Sequence, residues 1–157
     1  MQSLNFGNGL ERIYDNAFYH CDGLQSITFP ESLIYIGDSA FAESGLQRII
    51  FSDSIQTIDS YAFANTALQR VTLPNNLETL GYRAFAENAN LTSVNMKNCQ
   101  VEYITEEVFY NCDALQTVEI ESVALSISPS CFEGCVALST VKPPSTLKRI
   151  DPDAFRG

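Results

Sequence analysis

One phenylalanine recurs along this chain at intervals of 22 to 24 residues, and this regularity constrains the fold more than any other feature. A small or short apolar residue stands directly before each phenylalanine, and an isoleucine or leucine stands five residues before it. The recurring positions are Phe18, Phe41, Phe63, Phe85, Phe109, Phe132 and Phe155. Because self-similarity at a period of about 20 to 50 residues is typical of a solenoid, we predict a stack of about seven units.

Each unit contains two kinds of short pattern. A leucine after the phenylalanine is followed by apolar residues at alternate positions, such as Ile27 and Phe29. Alternation is typical of a short strand with one buried face. The A-F-x-x-C stretch is interpreted as a single helical turn, for which polar residues just before it provide capping oxygens. These residues are Asp15, Asp38, Ser60 and Glu106.

One such unit cannot bury its apolar face alone, so neighbouring units must stack. Stacking joins the strands in a parallel sheet and places the phenylalanines in one internal column. We therefore predict an α/β repeat solenoid over residues 1–157, a single domain of 22–24-residue units with a parallel β-sheet face and single helical turns.

The full unit reads L-x-x-I-x-x-x-A-F-x-x-C-x-x-L-x-x-V-x-L-P, and it resembles the BspA-like, or Treponema-type, leucine-rich repeat family from about Leu4 to Phe155. That family is associated with bacterial surface proteins and with adhesion to host proteins or other cells. The resemblance implies that the parent protein is extracellular or displayed on a cell surface. The first 13 residues lack the basic start and apolar run of a signal peptide.

The two ends of the sequence suggest a longer parent. Residues 3–6 align with residues 26–29, one repeat later, so the chain opens on the strand of a repeat whose first half is missing. Solenoids normally need polar capping repeats, and neither end has one. We expect a piece of a longer array, or a very short relative of one.

Composition narrows the class of partner. The chain has 19 acidic and 9 basic residues, a net charge of -10, and no basic run that would neutralise consecutive phosphates. We expect no binding to nucleic acid. No run of about eighteen apolar residues occurs, so we expect no membrane insertion by this segment.

The sequence offers little for catalysis or for metal binding. Its single histidine, His20, has no evident nucleophile or orienting acid, and Glu106 and Glu107 are interpreted as solvated surface. A calcium ladder at the Asp15 and Asp38 position is broken by other residue types in later repeats. We predict no enzyme activity, no cofactor and no metal.

The five cysteines follow the repeat register. Cys21, Cys112 and Cys135 share the position three residues after the phenylalanine, and Cys131 fills the small-residue position before it. This placement favours buried small side chains over disulfides. Cys131 and Cys135 lack a second ligand pair, so a zinc site is not indicated.

The candidate ligand face is the outward side of the strands, because the residues between the buried apolar pair point away from the core. One row is Ser26, Arg48, Arg70, Ser93, Thr117 and Thr140, and the next is Thr28, Ile50, Thr72, Asn95, Glu119 and Lys142. Arg48 and Arg70 are expected to adjoin, either as a receptor for a carboxylate or sulfate or simply as solubilising charges. Tyr35 and Tyr103 offer a second face.

Two functions fit these observations. The first is a non-enzymatic module that holds a protein or glycan ligand on the exposed sheet face. The alternative is a structural spacer that projects another domain from the cell surface. An enzyme fits least, because function has to be argued from a site and none is visible.

Overall fold

The computed structural model describes residues 3–157, which form a parallel β-solenoid. Each coil contributes a strand of three residues and then a strand of two residues. The long strands are β1 Ser3–Asn5, β3 Ser26–Thr28, β5 Arg48–Ile50, β7 Arg70–Thr72, β9 Ser93–Asn95, β11 Thr117–Glu119 and β13 Thr140–Lys142. The short strands are β2 Arg12–Ile13, β4 Tyr35–Ile36, β6 Thr57–Ile58, β8 Thr79–Leu80, β10 Tyr103–Ile104, β12 Ser126–Ile127 and β14 Arg149–Ile150.

The strands pair in parallel with the equivalent strands of neighbouring repeats, except between β5 and β7 and between β8 and β10. Ile27, for example, is in register with Leu4 on one side and with Ile49 on the other. The seven long strands therefore bound six complete turns of the solenoid. The short strands form ladders of their own, so the segment expected only to be extended is a second β face.

The predicted single helical turns are wrong: residues 3–157 contain no helix, and the stretch around each phenylalanine is a run of turns. Helical amides bond to carbonyls four residues earlier in the same segment. Here alternate amides reach the next repeat instead, since the Phe18 N–H donates to the Ala40 carbonyl at 2.7 Å and the His20 N–H donates to that of Ala42 at 3.1 Å. Left-handed residues such as Asn16, with φ of 57°, recur in every turn and also interrupt a helix. The solenoid is all-β, not α/β.

The predicted helix caps are corrected for the same reason. Asp15 does not bond to an amide of its own turn. Its Oδ1 accepts a hydrogen bond from the backbone N–H of Asp38, at 3.0 Å, in the next repeat. The Ser60 N–H is satisfied by the adjacent Asp59 carboxylate at 2.7 Å. The polar side chains near this position therefore satisfy turn amides, and Asp15 also links successive coils.

The predicted phenylalanine column is present and runs the length of the stack. Neighbouring rings lie parallel, with centroids 5.0 to 5.8 Å apart. The five inner members are completely or almost completely buried: Phe41, Phe63, Phe85, Phe109 and Phe132. Phe29 and Phe51 pack edge-on against Phe63, with centroids 6.4 and 5.5 Å away. This apolar column holds the coils in register.

The side chains three residues after the repeated phenylalanine both fill space in the core and form hydrogen bonds. The Cys112 thiol donates to the carbonyl of Phe85 at 3.3 Å, and the Cys135 thiol donates to that of Phe109 at 3.2 Å. Both thiols thus point at the preceding repeat. Burial raises the pKa of Cys135 to about 11, and burial also raises the pKa of Cys112. Both side chains are buried, as the sequence predicts.

Asn88 occupies the same position and makes the most bonds there. Its buried amide nitrogen donates to the carbonyls of Phe63, at 2.9 Å, and Phe85, at 2.8 Å. Its oxygen accepts from the backbone N–H of Thr66 at 3.0 Å. One side chain therefore joins the backbones of two successive turns inside the stack.

Each β face is interrupted once. Among the long strands, β5 and β7 are not hydrogen-bonded to each other. After β7, the Leu73 N–H donates to the Asn95 carbonyl of the next repeat at 2.9 Å. Within residues 3–157, the equivalent bond from the Phe51 N–H to the Thr72 carbonyl is absent. Among the short strands, β8 and β10 are not joined. The second gap lies in the longest repeat interval, the 24 residues from Phe85 to Phe109, whose turn at residues 96–100 has one extra residue. At this gap the Thr105 hydroxyl donates to the Leu80 carbonyl at 2.6 Å.

Candidate functional site

The structure places both predicted rows on the outer side of the long strands. No residue of either row is buried, whereas the central residues of the long strands β7, β9 and β11 are buried. The rows are Ser26, Arg48, Arg70, Ser93, Thr117 and Thr140, and Thr28, Ile50, Thr72, Asn95, Glu119 and Lys142. We call this surface the long-strand face.

A recess of about 570 Å³ lies on the long-strand face, across β3, β5 and β7. Its lining includes the row residues of these strands and brings Arg48 and Arg70 to one site. The recess coincides with the gap between β5 and β7. Arg48 and Arg70 occupy equivalent positions in successive repeats and line the same recess, so the two guanidinium groups can converge on one ligand.

Two lining residues were missed by the sequence reasoning. Gln47 and Gln69 also line the recess, although they precede the strands and fall outside the alternating pair. A signal for them exists, because glutamine recurs in register at Gln25, Gln47 and Gln69. Their side chains provide hydrogen-bond donors and acceptors together.

The recess also contains an exposed apolar side chain. Ile50 is 63% exposed and is in register with Thr28 of the neighbouring strand. A single exposed isoleucine is common on protein surfaces. Here, however, it adjoins Arg48, the residue two positions earlier on the same side of β5.

Arg48 and Arg70 differ from the other arginines in having no partner. Within residues 3–157, no carboxylate pairs with either group and no aromatic ring lies under either. Arg83, in contrast, is paired with Glu107 at 2.5 Å and lies over the Tyr110 ring at 4.7 Å. Arg12 lies over Tyr35 at 5.1 Å.

In the opposite half of the long-strand face, the cations are engaged by a carboxylate. Glu119 lies 3.0 Å from the Lys97 ammonium and 2.7 Å from that of Lys142. Hydrogen bonds from the two lysines lower the pKa of Glu119, and the bond to Glu119 raises the pKa of Lys142. Both lysines therefore have a carboxylate partner, which Arg48 and Arg70 lack among residues 3–157.

The second predicted face is not a single site. Tyr35 lies on β4 and Tyr103 on β10, which belong to separate ladders. The Tyr35 hydroxyl is already engaged, donating to Asp59 at 3.1 Å. Tyr103 is 60% exposed and lines a different recess, of about 540 Å³, together with Glu78 and Glu102 at the gap between β8 and β10.

Two other polar residues considered in the sequence analysis, His20 and Glu107, each pair with an oppositely charged or titratable side chain of the next or preceding repeat. His20 lies 3.0 Å from Glu43, and Glu107 is the partner of Arg83. Within the part of the chain that the structure describes, no three potential metal ligands cluster. The same residues include no helical segment able to span a membrane.

The comparisons place the repeat in a known family. The sequence model of the BspA type leucine-rich repeat region matches residues 1–100 and 36–157, with six copies. The chain belongs to this family. A search of the curated proteins finds no match.

Solved structures of bacterial leucine-rich repeat proteins share the fold. A Bacteroides ovatus protein is 22% identical with a TM-score of 0.83, over 95% of this chain and 39% of its own. The Treponema pallidum leucine-rich repeat protein is 25% identical with a TM-score of 0.58, over 83% and 72%. The pneumococcal vaccine antigen PcpA is 25% identical with a TM-score of 0.52, over 88% and 44%. The chain thus spans well under half of the Bacteroides protein.

Proposed function

We propose that this chain is a non-enzymatic binding module and that it holds a protein or glycan ligand on the long-strand face. The observation that carries the proposal is the recess at β5 and β7 of this acidic protein, where Arg48 and Arg70 have no ion-pair or aromatic partner among residues 3–157. Two unpaired guanidinium groups favour a carboxylate or sulfate. Solenoids commonly use their extended sheet surface for binding.

We propose further that the parent protein is secreted or displayed on a cell surface. Two points support this location. Similar solved structures come from the bacteria Bacteroides ovatus and Treponema pallidum, and another is described as a vaccine antigen. A surface location would also expose the long-strand face to ligands outside the cell.

The experiment is a binding screen on glycan and host-protein arrays with the purified chain and two charge-matched variants. Arg48→Ser with Arg70→Ser removes the proposed site. Lys148→Ser with Arg149→Ser removes the same charge from the short-strand side, at the start of β14 and the residue before it. We expect an acidic array ligand to be lost by the first variant and retained by the second. A ligand that both variants retain at raised salt would place the binding site elsewhere.

The spacer alternative makes a different prediction. A stack with a continuous buried phenylalanine column is also suited to act as a rigid connector. In that case neither variant changes any interaction, and the screen yields no ligand dependent on Arg48 and Arg70. The array therefore separates the two functions.

A further inference from the structure

The nine lysine and arginine residues of the chain divide into paired and unpaired groups. Five are in ion pairs with carboxylates: Arg83, Lys97, Lys142, Arg149 and Arg156. Arg12 instead lies over an aromatic ring. Within residues 3–157, the other three, Arg48, Arg70 and Lys148, have neither kind of partner, and of these Arg48 and Arg70 share a recess. An anionic ligand would give Arg48 and Arg70 the ion-pair partner that the protein's own carboxylates give to the paired cations.

The recess is not simply an anion site, because apolar and amide side chains line it together with the arginines. Ile50 exposes 63% of its surface on the same side of β5 as Arg48. Gln47 and Gln69 supply side-chain amides at the rim. A sulfated glycan would satisfy the arginines but would leave Ile50 facing polar groups. A peptide can satisfy the charge, the apolar surface and the amides together.

The spacing along β5 defines the peptide further. Arg48 and Ile50 are two residues apart on one strand, so their side chains emerge about 6.6 Å apart. An extended peptide that runs along this strand has the same spacing between side chains at alternate positions. If an acidic side chain of the peptide contacts Arg48 and Arg70, an apolar side chain two residues away on the same peptide can therefore lie on Ile50.

We propose that the long-strand face binds an extended acidic peptide in which a carboxylate side chain and an apolar side chain are two residues apart. This inference rests on the proposed binding function and gives the class of its ligand. The carboxylate is held between Arg48 and Arg70, which together can offer two hydrogen-bonded forks. The apolar side chain covers Ile50, and the glutamine amides contact the peptide backbone.

The test uses the isotopically labelled chain and short synthetic peptides, followed by amide chemical shifts. The probe is Ac-Ser-Glu-Ser-Leu-Ser-NH2, with three comparison peptides in which glutamine replaces the glutamate, serine replaces the leucine, or the glutamate and leucine are adjacent. We expect the probe to shift amides of residues 47–50 and 69–72. Each comparison peptide should bind about tenfold more weakly, as expected for loss of one favourable contact.

Protein variants provide the matching half of the test. Ile50→Ser should weaken the probe but not its serine-for-leucine form, whereas Arg48→Ser with Arg70→Ser should weaken both. Lys148→Ser with Arg149→Ser should change neither. The amide spectrum of each variant confirms that it is folded.

Two results would overturn the inference without contradicting the proposed binding function. If a sulfated heparin tetrasaccharide shifts these amides in an arginine-dependent way while the peptide does not, the peptide assignment is wrong and the binding face survives. If the peptide binds equally well to the Ile50→Ser variant, the apolar contact is wrong. An array ligand that binds without Arg48 and Arg70 would instead contradict the proposed function itself.

Discussion

The rings of Phe41 and Phe63 are stacked with centroids 5.2 Å apart and planes 2° from parallel, although the residues are 22 positions apart in the sequence. Both rings are completely buried. Their contact joins one coil to the next through the centre of the molecule. The same relationship, repeated, supplies the cohesion that no single repeat has.

Replacing Phe63 with alanine should therefore lower the free energy of unfolding by about 3 to 5 kcal/mol, since it removes a buried ring and leaves a cavity. Phe155, at the end of the column and 37% exposed, is the matched control, and Phe155→Ala should cost clearly less. Urea unfolding followed by circular dichroism measures both. A loss below about 1 kcal/mol for Phe63→Ala would contradict its place in the core.

Asn88→Ala should destabilise the chain by about 1 to 3 kcal/mol, because it leaves buried carbonyls and the Thr66 amide without partners. The control is Asn90→Ala, which changes an exposed asparagine in the same repeat and should have an effect below about 0.5 kcal/mol. Equal effects in urea unfolding would show that the Asn88 bonds contribute little.

All five cysteines should be thiols in the folded protein. Alkylation of the unfolded, unreduced chain should therefore add five labels by mass spectrometry. In the native state Cys21, which is half-buried, should react first, since the other four are buried. Fewer than five labels after unfolding would reveal a disulfide.

The buried thiols also predict a pH effect. The pKa of Cys135 is raised by burial from 9.0 to about 11, so the unfolded chain releases that proton at lower pH than the folded chain. The resulting stabilisation is complete below about pH 9 and is lost as the pH rises through 11. Cys135→Ser should reduce the fall in unfolding free energy between pH 8 and about pH 10.5. An unchanged fall would mean that Cys135 does not contribute.

Arg48→Ser with Arg70→Ser should change the free energy of unfolding by less than about 0.5 kcal/mol, because both side chains are exposed and unpaired. Like charges on adjacent strands repel, so any change should be towards greater stability at low salt. Urea unfolding at two salt concentrations checks this. A marked destabilisation would mean that the arginines support the fold rather than a ligand.

Glu119→Gln tests whether cations on this face bind an anion once their carboxylate partner is removed. It would free Lys97 and Lys142 on the long-strand face and should create a second site at which sulfate shifts backbone amides. Because the lysines lower the pKa of Glu119, its stabilising contribution is present above pH 4.5 and is lost as the pH falls through the lower folded value. The variant should therefore lose less stability on acidification than the parent. Glu31→Gln, at an exposed glutamate, is the control.

The repeat, the buried column and the outward rows could all be predicted from the sequence, because each depends on a periodicity. The helical turns could not. The A-F-x-x-C pattern has helical spacing, but the left-handed residues and the amides that bond to Ala40 and Ala42 of the next coil become evident only when coils are stacked. Long-range backbone bonding overrode the local preference.

For the candidate site, the sequence by itself determined that Arg48 and Arg70 occupy equivalent outward positions, since the period places them one coil apart. Only the tertiary structure decided which charges remain available. The pairing of Lys97 and Lys142 with Glu119 depends on distances between coils, as does the gap between β5 and β7 beside the two arginines. Periodicity gives the direction of a side chain, whereas its partners are set by packing between coils.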